Sequence, residues 1–178
     1  MKVLLAFCAL LCASAASAQV VLYVDLGDAY TRSDALAGLL RQVDEELGRI
    51  RDEYQPREQA LRADLAALRT SRMSEEAKQT RRVEIARELQ KLAQAREAAQ
   101  ELLAQANARA IAQVDAALRS IKEQVRAEAR AVALLDAQET LYLRRGGSFD
   151  RTDEVYRRLN EQLPEVVLRV HRRPAAAS

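Results

Sequence analysis

The stretch of residues 34–130 constrains the fold most, because it is long, charged, rich in Ala and Leu, and contains a single aromatic residue, Tyr54. The other aromatic residues beyond position 18 all flank it: Tyr23, Tyr30, Tyr142, Phe149 and Tyr156. Aromatic side chains contribute much of the buried area in a compact core. We therefore expect a compact base built from the two chain ends and a projecting arm between them, an arrangement that favours holding or bridging over an enclosed catalytic pocket.

Residues 1–18 are typical of a secretory signal peptide. Lys2 precedes the apolar run of residues 3–12, and Ala16-Ser17-Ala18 fits the small-residue cleavage pattern. The run is shorter than the roughly 20 residues that span a membrane. Cleavage before Gln19 would remove both cysteines, as suits an oxidising compartment, and would leave 27 basic against 26 acidic residues. That near-neutral balance is not typical of nucleic-acid binding.

Apolar residues in the arm recur at helical spacing. Leu36, Leu40, Val43, Leu47, Ile50 and Tyr54 are spaced 4, 3, 4, 3, 4, which predicts a coiled-coil seam. Pro56 falls where the pattern lapses, before Leu61, Leu65 and Leu68 resume it, and predicts a kink and not a stop.

A second helix is predicted after Ser74, a good N-cap followed by two glutamates. It should run to about Arg130, roughly 80 Å. Its apolar stripe comprises Ile85, Leu89, Leu92, Ala99, Leu103, Ala106, Ala110, Val114, Ile121 and Val125. Joined by a short turn, the two helices should form an antiparallel hairpin that buries both seams.

The chain ends predict short strands at residues 20–24, 132–135 and 140–143, and a helix that Thr152 caps and that ends near Leu163. Residues 165–170 could add a strand before a frayed tail. The predicted division is a signal peptide (1–18), a discontinuous β-rich base (19–33 and 131–163), the arm (34–130) and a tail (164–178). Because so small a base buries little surface, we expect it to oligomerise.

The order of these segments resembles the Skp/OmpH family of periplasmic chaperones. The resemblance rests on the strand end Val24-Asp25, the helix restart Ser74-Glu75-Glu76, and the runs of residues 135–142 and 149–155. The chain departs from the family pattern at Glu139, where an Asn is usual, and at Arg151, where an Ile is usual.

The resemblance implies a soluble periplasmic homotrimer, in which three bases join in a β-barrel body and three hairpins surround a cavity. That cavity would hold unfolded outer-membrane proteins without ATP. The alternative from the arm alone is a structural coiled-coil adaptor that bridges cell-envelope components.

Candidate contact residues lie at the arm tip and in the base. Residues 69–91 carry seven basic and four acidic residues. Within that stretch Met73, Lys78, Arg81 and Arg82 are candidate contacts for client or for anionic lipid or lipopolysaccharide. Ordinary pairing with neighbouring glutamates is the alternative for the basic residues. Candidate residues for the oligomer core are Val21, Tyr23, Leu134 and Leu141.

Enzymatic chemistry has little support in the sequence. His171 is the single histidine and lies in the tail. Carboxylate pairs such as Glu45/Glu46 would lie on exposed helix faces, where nothing perturbs them for acid–base work. We therefore predict no catalytic residues, no metal site and no cofactor.

Overall fold

A computed structural model describes residues 20–139 and 146–171. Its elements, in chain order, are β1 (Val21–Val24), α1 (Leu26–Thr31), α2 (Asp34–Ala67), α3 (Glu75–Glu128), β2 (Ala133–Asp136) and α4 (Thr152–Gln162), with one 3-10 turn at Ala137–Glu139. The predicted signal peptide, the predicted strand of residues 140–143 and the tail beyond residue 171 lie outside the described residues.

The arm is an antiparallel pair of helices, α2 and α3. The hydroxyl oxygens of Ser33 and Ser74 accept hydrogen bonds from the N–H groups of the first turns, so the predicted N-cap at Ser74 is confirmed and Ser33 caps α2 in the same way. α2 continues through Pro56, which confirms that the proline does not end the helix. α3 has 54 residues and is therefore about 80 Å long.

The small sheet is built around β1. On one side β1 pairs in parallel with β2, in the register Val21↔Ala133. On the other side the N–H of Tyr23 donates to the carbonyl of Phe149 at 3.0 Å, and the N–H of Arg151 donates to the carbonyl of Tyr23 at 2.9 Å. The first and last parts of the chain thus meet at the root of the hairpin, as predicted.

The hydrophobic core is aliphatic and includes the root of the arm. Its buried members are Leu22, Val24, Ala29, Ala35, Leu39, Ala110, Val114, Leu118, Ile121, Val125, Ala131, Val155, Leu159 and Val166. The expected aromatic core is wrong except at Tyr23, which is 6% exposed, because Phe149 is 52% exposed and Tyr30 and Tyr156 only border the cluster. The apolar surface comes from β1, α4 and the root of the arm, which is the start of α2 together with the C-terminal part of α3.

The heptad spacing is wrong at Leu40, near the start of α2, although the predicted seam residues Leu36 and Val43 pack against the core. Leu40, a predicted seam residue, is 65% exposed, whereas its neighbour Leu39 is 2% exposed. The buried pair at this end is Ala35 and Leu39. The shift has a physical cause: the core that α2 faces here contains residues of α4 and of the segment after it, not α3 alone.

The residues after β1 form α1, a short helix capped by Asp25 that the sequence analysis did not predict. Two smaller expectations are also corrected. Thr152 is the first residue of α4, and the cap position is Arg151, which makes no side-chain capping bond. The segment of residues 165–170 is not a strand.

Candidate functional site

The middle of the arm is its least tightly packed part. No residue of the arm is fully buried between Ile50 on α2 and Leu68 at its C-cap, or between Ile85 and Leu103 on α3. Each gap corresponds to about 27 Å of helix. The predicted seam residues in these gaps remain partly or largely exposed: Tyr54, Leu61, Leu65, Leu89, Leu92 and Ala99. The expectation of a continuously buried seam is therefore wrong in mid-arm.

Charged side chains occupy the mid-arm gap. Glu58 of α2 accepts from Arg62 of the same helix at 2.5 Å and from Arg96 of α3 at 3.2 Å. Openings of 430 and 310 Å³ lie between the helices, and Tyr54 lines both. An ion pair gives less geometric constraint than interlocked apolar side chains, so the two helices have room to move relative to each other here.

Exposed apolar side chains are distributed along both helices of the arm and at the turn between them. Each keeps between 37% and 65% of its surface accessible: Leu40, Leu47, Leu65, Met73, Val83 and Ile111. Isolated apolar side chains are common on protein surfaces. A series of them along an arm nevertheless offers several weak contacts to an extended polypeptide.

The predicted tip residues lie together around the start of α3. Lys78 pairs with Glu75 at 2.9 Å, and its side chain is only 14% exposed. Arg81 pairs with Glu84 at 3.0 Å and lies 3.8 Å from Asp64 of α2. The local pairing considered as the alternative thus occurs for both residues.

Arg82 and Met73 are the members of the predicted tip set that take no part in these ion pairs. Met73 is 44% exposed. Arg82 is exposed and has no ion-pair partner within the part of the chain that the structure describes. The pKa of Glu75 is lowered, first by its hydrogen bond from Lys78 and also by the charge of Arg82. The contact role of the tip residues stays a prediction.

A hydrogen-bond network with a buried bond at its centre joins β1 to α4. The hydroxyl of Thr152 accepts from the N–H of Asp25 at 2.9 Å and donates to Oδ1 of Asp150 at 2.6 Å. Asp150 Oδ2 accepts from the N–H of Gly146, and Asp25 Oδ1 accepts from the N–H of Asp28 in the first turn of α1. The Asp and Thr of the motif at residues 149–155 therefore have a structural role.

Gly27 lies where a side chain would collide. A Cβ atom on this residue would lie 2.7 Å from Nε2 of Gln138, in the 3-10 turn after β2. This distance is shorter than van der Waals contact, so a larger residue would force Gln138 to move. The glycine lets α1 approach the end of β2 closely.

Ion pairs fix α4 against the rest of the base. Arg158 donates to both carboxylate oxygens of Glu128, at the end of α3, and to Glu154 at 2.7 Å. The hydrogen bond from Arg158 lowers the pKa of Glu128. The pair therefore contributes to the stability of the folded state at pH values above the ordinary pKa of a carboxyl group. This contribution is lost as the pH falls through the lowered pKa of Glu128. Arg32 links α1 to Asp153 at 2.8 Å and lies over the ring of Tyr156.

The candidate oligomer residues differ in accessibility. Val21 is 44% exposed, Tyr23 is 6% exposed, and Leu134 packs against the core of its own chain. Leu141 lies outside the described residues. Val21 and Leu135 belong to one face of the small sheet, and both are exposed. Their oligomeric role stays a prediction, with Val21 as the most accessible of the described members.

No metal-binding arrangement of three or more His, Cys, Asp or Glu residues occurs in residues 20–139 and 146–171. His171 lies exposed at the end of the described chain, where its Nδ1 approaches the carbonyl of Arg169. Among the helices of the described ranges, none is both long and apolar enough to cross a membrane.

Sequence reasoning missed one side chain with a clear local role. The carboxamide of Gln42, on α2, makes two hydrogen bonds to the backbone of the segment that follows α4. The signal that could have found it is a polar residue beside the apolar seam, opposite a segment with alternating apolar residues. The pairing of this glutamine with that segment can be recognised only once the tertiary arrangement is known.

The geometry defines the protein as a long antiparallel helical hairpin on a small base, in which a short parallel sheet and a docked helix join the chain ends. Residues 20–159 match the family model described as outer membrane protein (OmpH-like), and the chain belongs to this family. No curated protein sequence matches the chain.

The fold is similar to a crystal structure from Caulobacter crescentus CB15 of an OmpH-like protein, for which the role of outer membrane chaperone has been suggested. The TM-score is 0.69 at 18% sequence identity, and the match covers 88% of this chain and 92% of the other. The predicted family and the mainly helical fold with a small β component are thus confirmed.

Proposed function

We propose that the protein is an ATP-independent periplasmic holdase that binds unfolded outer-membrane proteins between helical arms and prevents their aggregation. Membership of the OmpH-like family supports a chaperone role. The observation that carries the proposal is the arm itself, an 80 Å projection with exposed apolar side chains at intervals and a loosely packed middle.

The arm suits many weak contacts better than one strong contact. An unfolded client keeps more of its conformational freedom when each contact is weak, and several contacts on one client add up to useful avidity. The charged mid-arm gap around Glu58 lets the hairpin bend without breaking a dry apolar interface. This favours clients of different size over a single fixed partner, and it favours a holdase over an adaptor.

The proposal includes a homotrimer assembled through the bases. A base with a two-stranded sheet is small, and exposed apolar residues lie on and beside its accessible face: Val21, Val132, Leu135 and Phe149. Joining three such sheets would cover these side chains and pair sheet edges. Three arms would then enclose a common space for the client.

The remaining parts of the proposal concern location and the arm tip. The leader of residues 1–18 would direct the chain to the periplasm and be removed before Gln19. Arg82 and Met73 would meet clients or anionic lipid at the arm tip. The protein would act by binding alone, with no catalytic residue, metal or cofactor.

An aggregation assay tests the proposed function. An unfolded outer-membrane β-barrel protein is diluted from urea into buffer without ATP, and light scattering is followed with and without the mature protein in molar excess. We expect suppressed scattering and recovery of a soluble complex. Unchanged scattering at every excess, with the client absent from the soluble fraction, would rule out the holdase and favour the adaptor.

A further inference from the structure

The segment after α4 lies along the root of the arm. We call residues 164–171 the strap. Val166 is 1% exposed and belongs to the core, and Leu168 and Val170 are partly buried. The residues between them face solvent, and Val167 is 54% exposed. Burial thus alternates with a period of two, as it does along an extended chain with one covered face.

The carboxamide of Gln42 contacts the strap as a neighbouring strand would. Its Nε2 donates to the carbonyl of Val166 at 2.8 Å, and its Oε1 accepts from the N–H of Leu168 at 2.8 Å. In a parallel β-sheet, the N–H and the C=O of one residue bond to two residues of the neighbouring strand that are two positions apart. The two polar atoms of the Gln42 carboxamide bond to Val166 and Leu168 in the same pattern. Gln42 therefore recognises an extended backbone, whatever its side chains are.

The groove beneath the strap selects for apolar residues at alternate positions. Its α3 wall includes Ala106 and Ala110, whose small side chains leave room for an apolar residue at the position of Val166. Alternation of apolar and polar residues is also the sequence pattern of strands in transmembrane β-barrels. In the unfolded state, such a strand can present the backbone and side chains that the strap presents here.

We propose that this groove, between Gln42 on α2 and Ala110 on α3, is a binding site for extended polypeptide with alternating apolar residues. The strap is its internal occupant and competes with the client for it. The inference rests on the proposed function for the identity of the client, and on the strap contacts for the site itself. Release of the strap opens the site, and return of the strap helps to expel the bound segment.

Two variants of the full mature chain test the competition. Val166→Asp places a charge in the core position of the strap and should release it, whereas Val167→Asp makes the same change on the solvent-facing side. The probe is a fluorescent synthetic peptide with the sequence of residues 164–171. We expect the peptide to bind Val166→Asp at least tenfold more tightly than Val167→Asp or the parent. Equal affinities would overturn the proposal.

A second comparison tests recognition by Gln42. In the Val166→Asp background, Gln42→Ala should weaken peptide binding about tenfold, because two hydrogen bonds are lost. Gln113→Ala is the control, since Gln113 lines the same groove but donates to the carbonyl of Arg109 in its own helix. A peptide of the same composition with its apolar residues placed together should bind more weakly. Identical losses for the two glutamine variants would contradict backbone recognition.

The parent protein provides a test that does not depend on how Val166→Asp folds. A heavy-isotope version of the peptide, in excess, should accelerate hydrogen exchange of the strap amides, while the rearranged peptide should not. No acceleration by either peptide would overturn the proposal. The aggregation assay separates this from the proposed function: a parent that fails to protect clients refutes the holdase, whatever the peptide does.

Discussion

The hydroxyl of Thr152 accepts a hydrogen bond at 2.9 Å from the backbone N–H of Asp25, a residue 127 positions earlier in the chain. The whole arm lies between these two residues in sequence. The bond is buried, and the same hydroxyl donates to Asp150. This contact fixes the start of α4 against the end of β1 and so closes the base around the arm.

Loss of the Thr152 hydroxyl should destabilise the base. Thr152→Val keeps the shape of the side chain but leaves the buried N–H of Asp25 without its acceptor, so we expect a loss of about 1–3 kcal/mol in the free energy of unfolding. Thr31→Val is the control, because the hydroxyl of Thr31 is exposed and bonds within its own helix. Urea unfolding at a fixed protomer concentration measures both, and equal small changes would contradict the structural role of Thr152.

The neighbouring leucines 39 and 40 distinguish the observed seam from the one predicted by heptad spacing. Leu39→Ala should cost about 2–5 kcal/mol, because it opens a cavity in the core. Leu40→Ala should change stability by no more than about 0.5 kcal/mol, because Leu40 is 65% exposed. Thermal and urea unfolding of the two variants give the comparison. A larger loss for Leu40→Ala would support the heptad prediction against the structure.

Sequence patterns predicted the helices well because their signals are local. The N-caps at Ser33 and Ser74 each depend on bonds within one turn. The buried face of α2 could not be predicted in the same way, because the segment after α4 packs onto the root of the arm and moves the seam from Leu40 to Leu39. The heptad spacing describes the contact between two helices and contains no information about a third segment that packs against them.

The strap shows the same limit for β structure. The alternation of Val166, Leu168 and Val170 correctly indicates an extended segment with one covered face. It was predicted as a strand because strands are the usual hydrogen-bond partners of extended backbone. Here the side chain of Gln42 takes that place.

The candidate site was predicted in part. The tip residues lie together, but Lys78 and Arg81 are engaged in local ion pairs, whose geometry depends on side-chain conformations that the sequence does not specify.

Assembly through the base should depend on Val21. In a trimer that covers this side chain, Val21→Asp would bury a charge at a cost of several kcal/mol and should dissociate the assembly. Val83→Asp, on the arm, is the matched control, since the two valines are 44% and 41% exposed. Sedimentation velocity should show smaller particles for Val21→Asp alone. Unchanged sedimentation of that variant would exclude this face from the interface.

Electrostatic contact at the arm tip should depend mainly on Arg82. Arg82→Glu should weaken client affinity by up to about fivefold, as suits a contact worth no more than ~1 kcal/mol per arm. It should also reduce the salt dependence, because exposed charges are screened over about 8 Å at physiological ionic strength. Arg119→Glu makes the same charge change on an exposed position nearer the root. Client affinity is measured for both variants across the same series of salt concentrations. If affinity depends on salt equally in both, Arg82 is only a solubilising charge.

The claim that the arms hold the client is tested most directly by shortening them. Replacing residues 56–98 with a turn of about four residues joins helices that lie roughly 8–10 Å apart. It retains the buried residues Ile50 and Leu103 and the whole base. The shortened protein should keep the helicity of its remaining arm and its oligomeric state. In the aggregation assay it should fail to protect an unfolded outer-membrane protein that the parent protects, whereas protection equal to that of the parent would contradict the account.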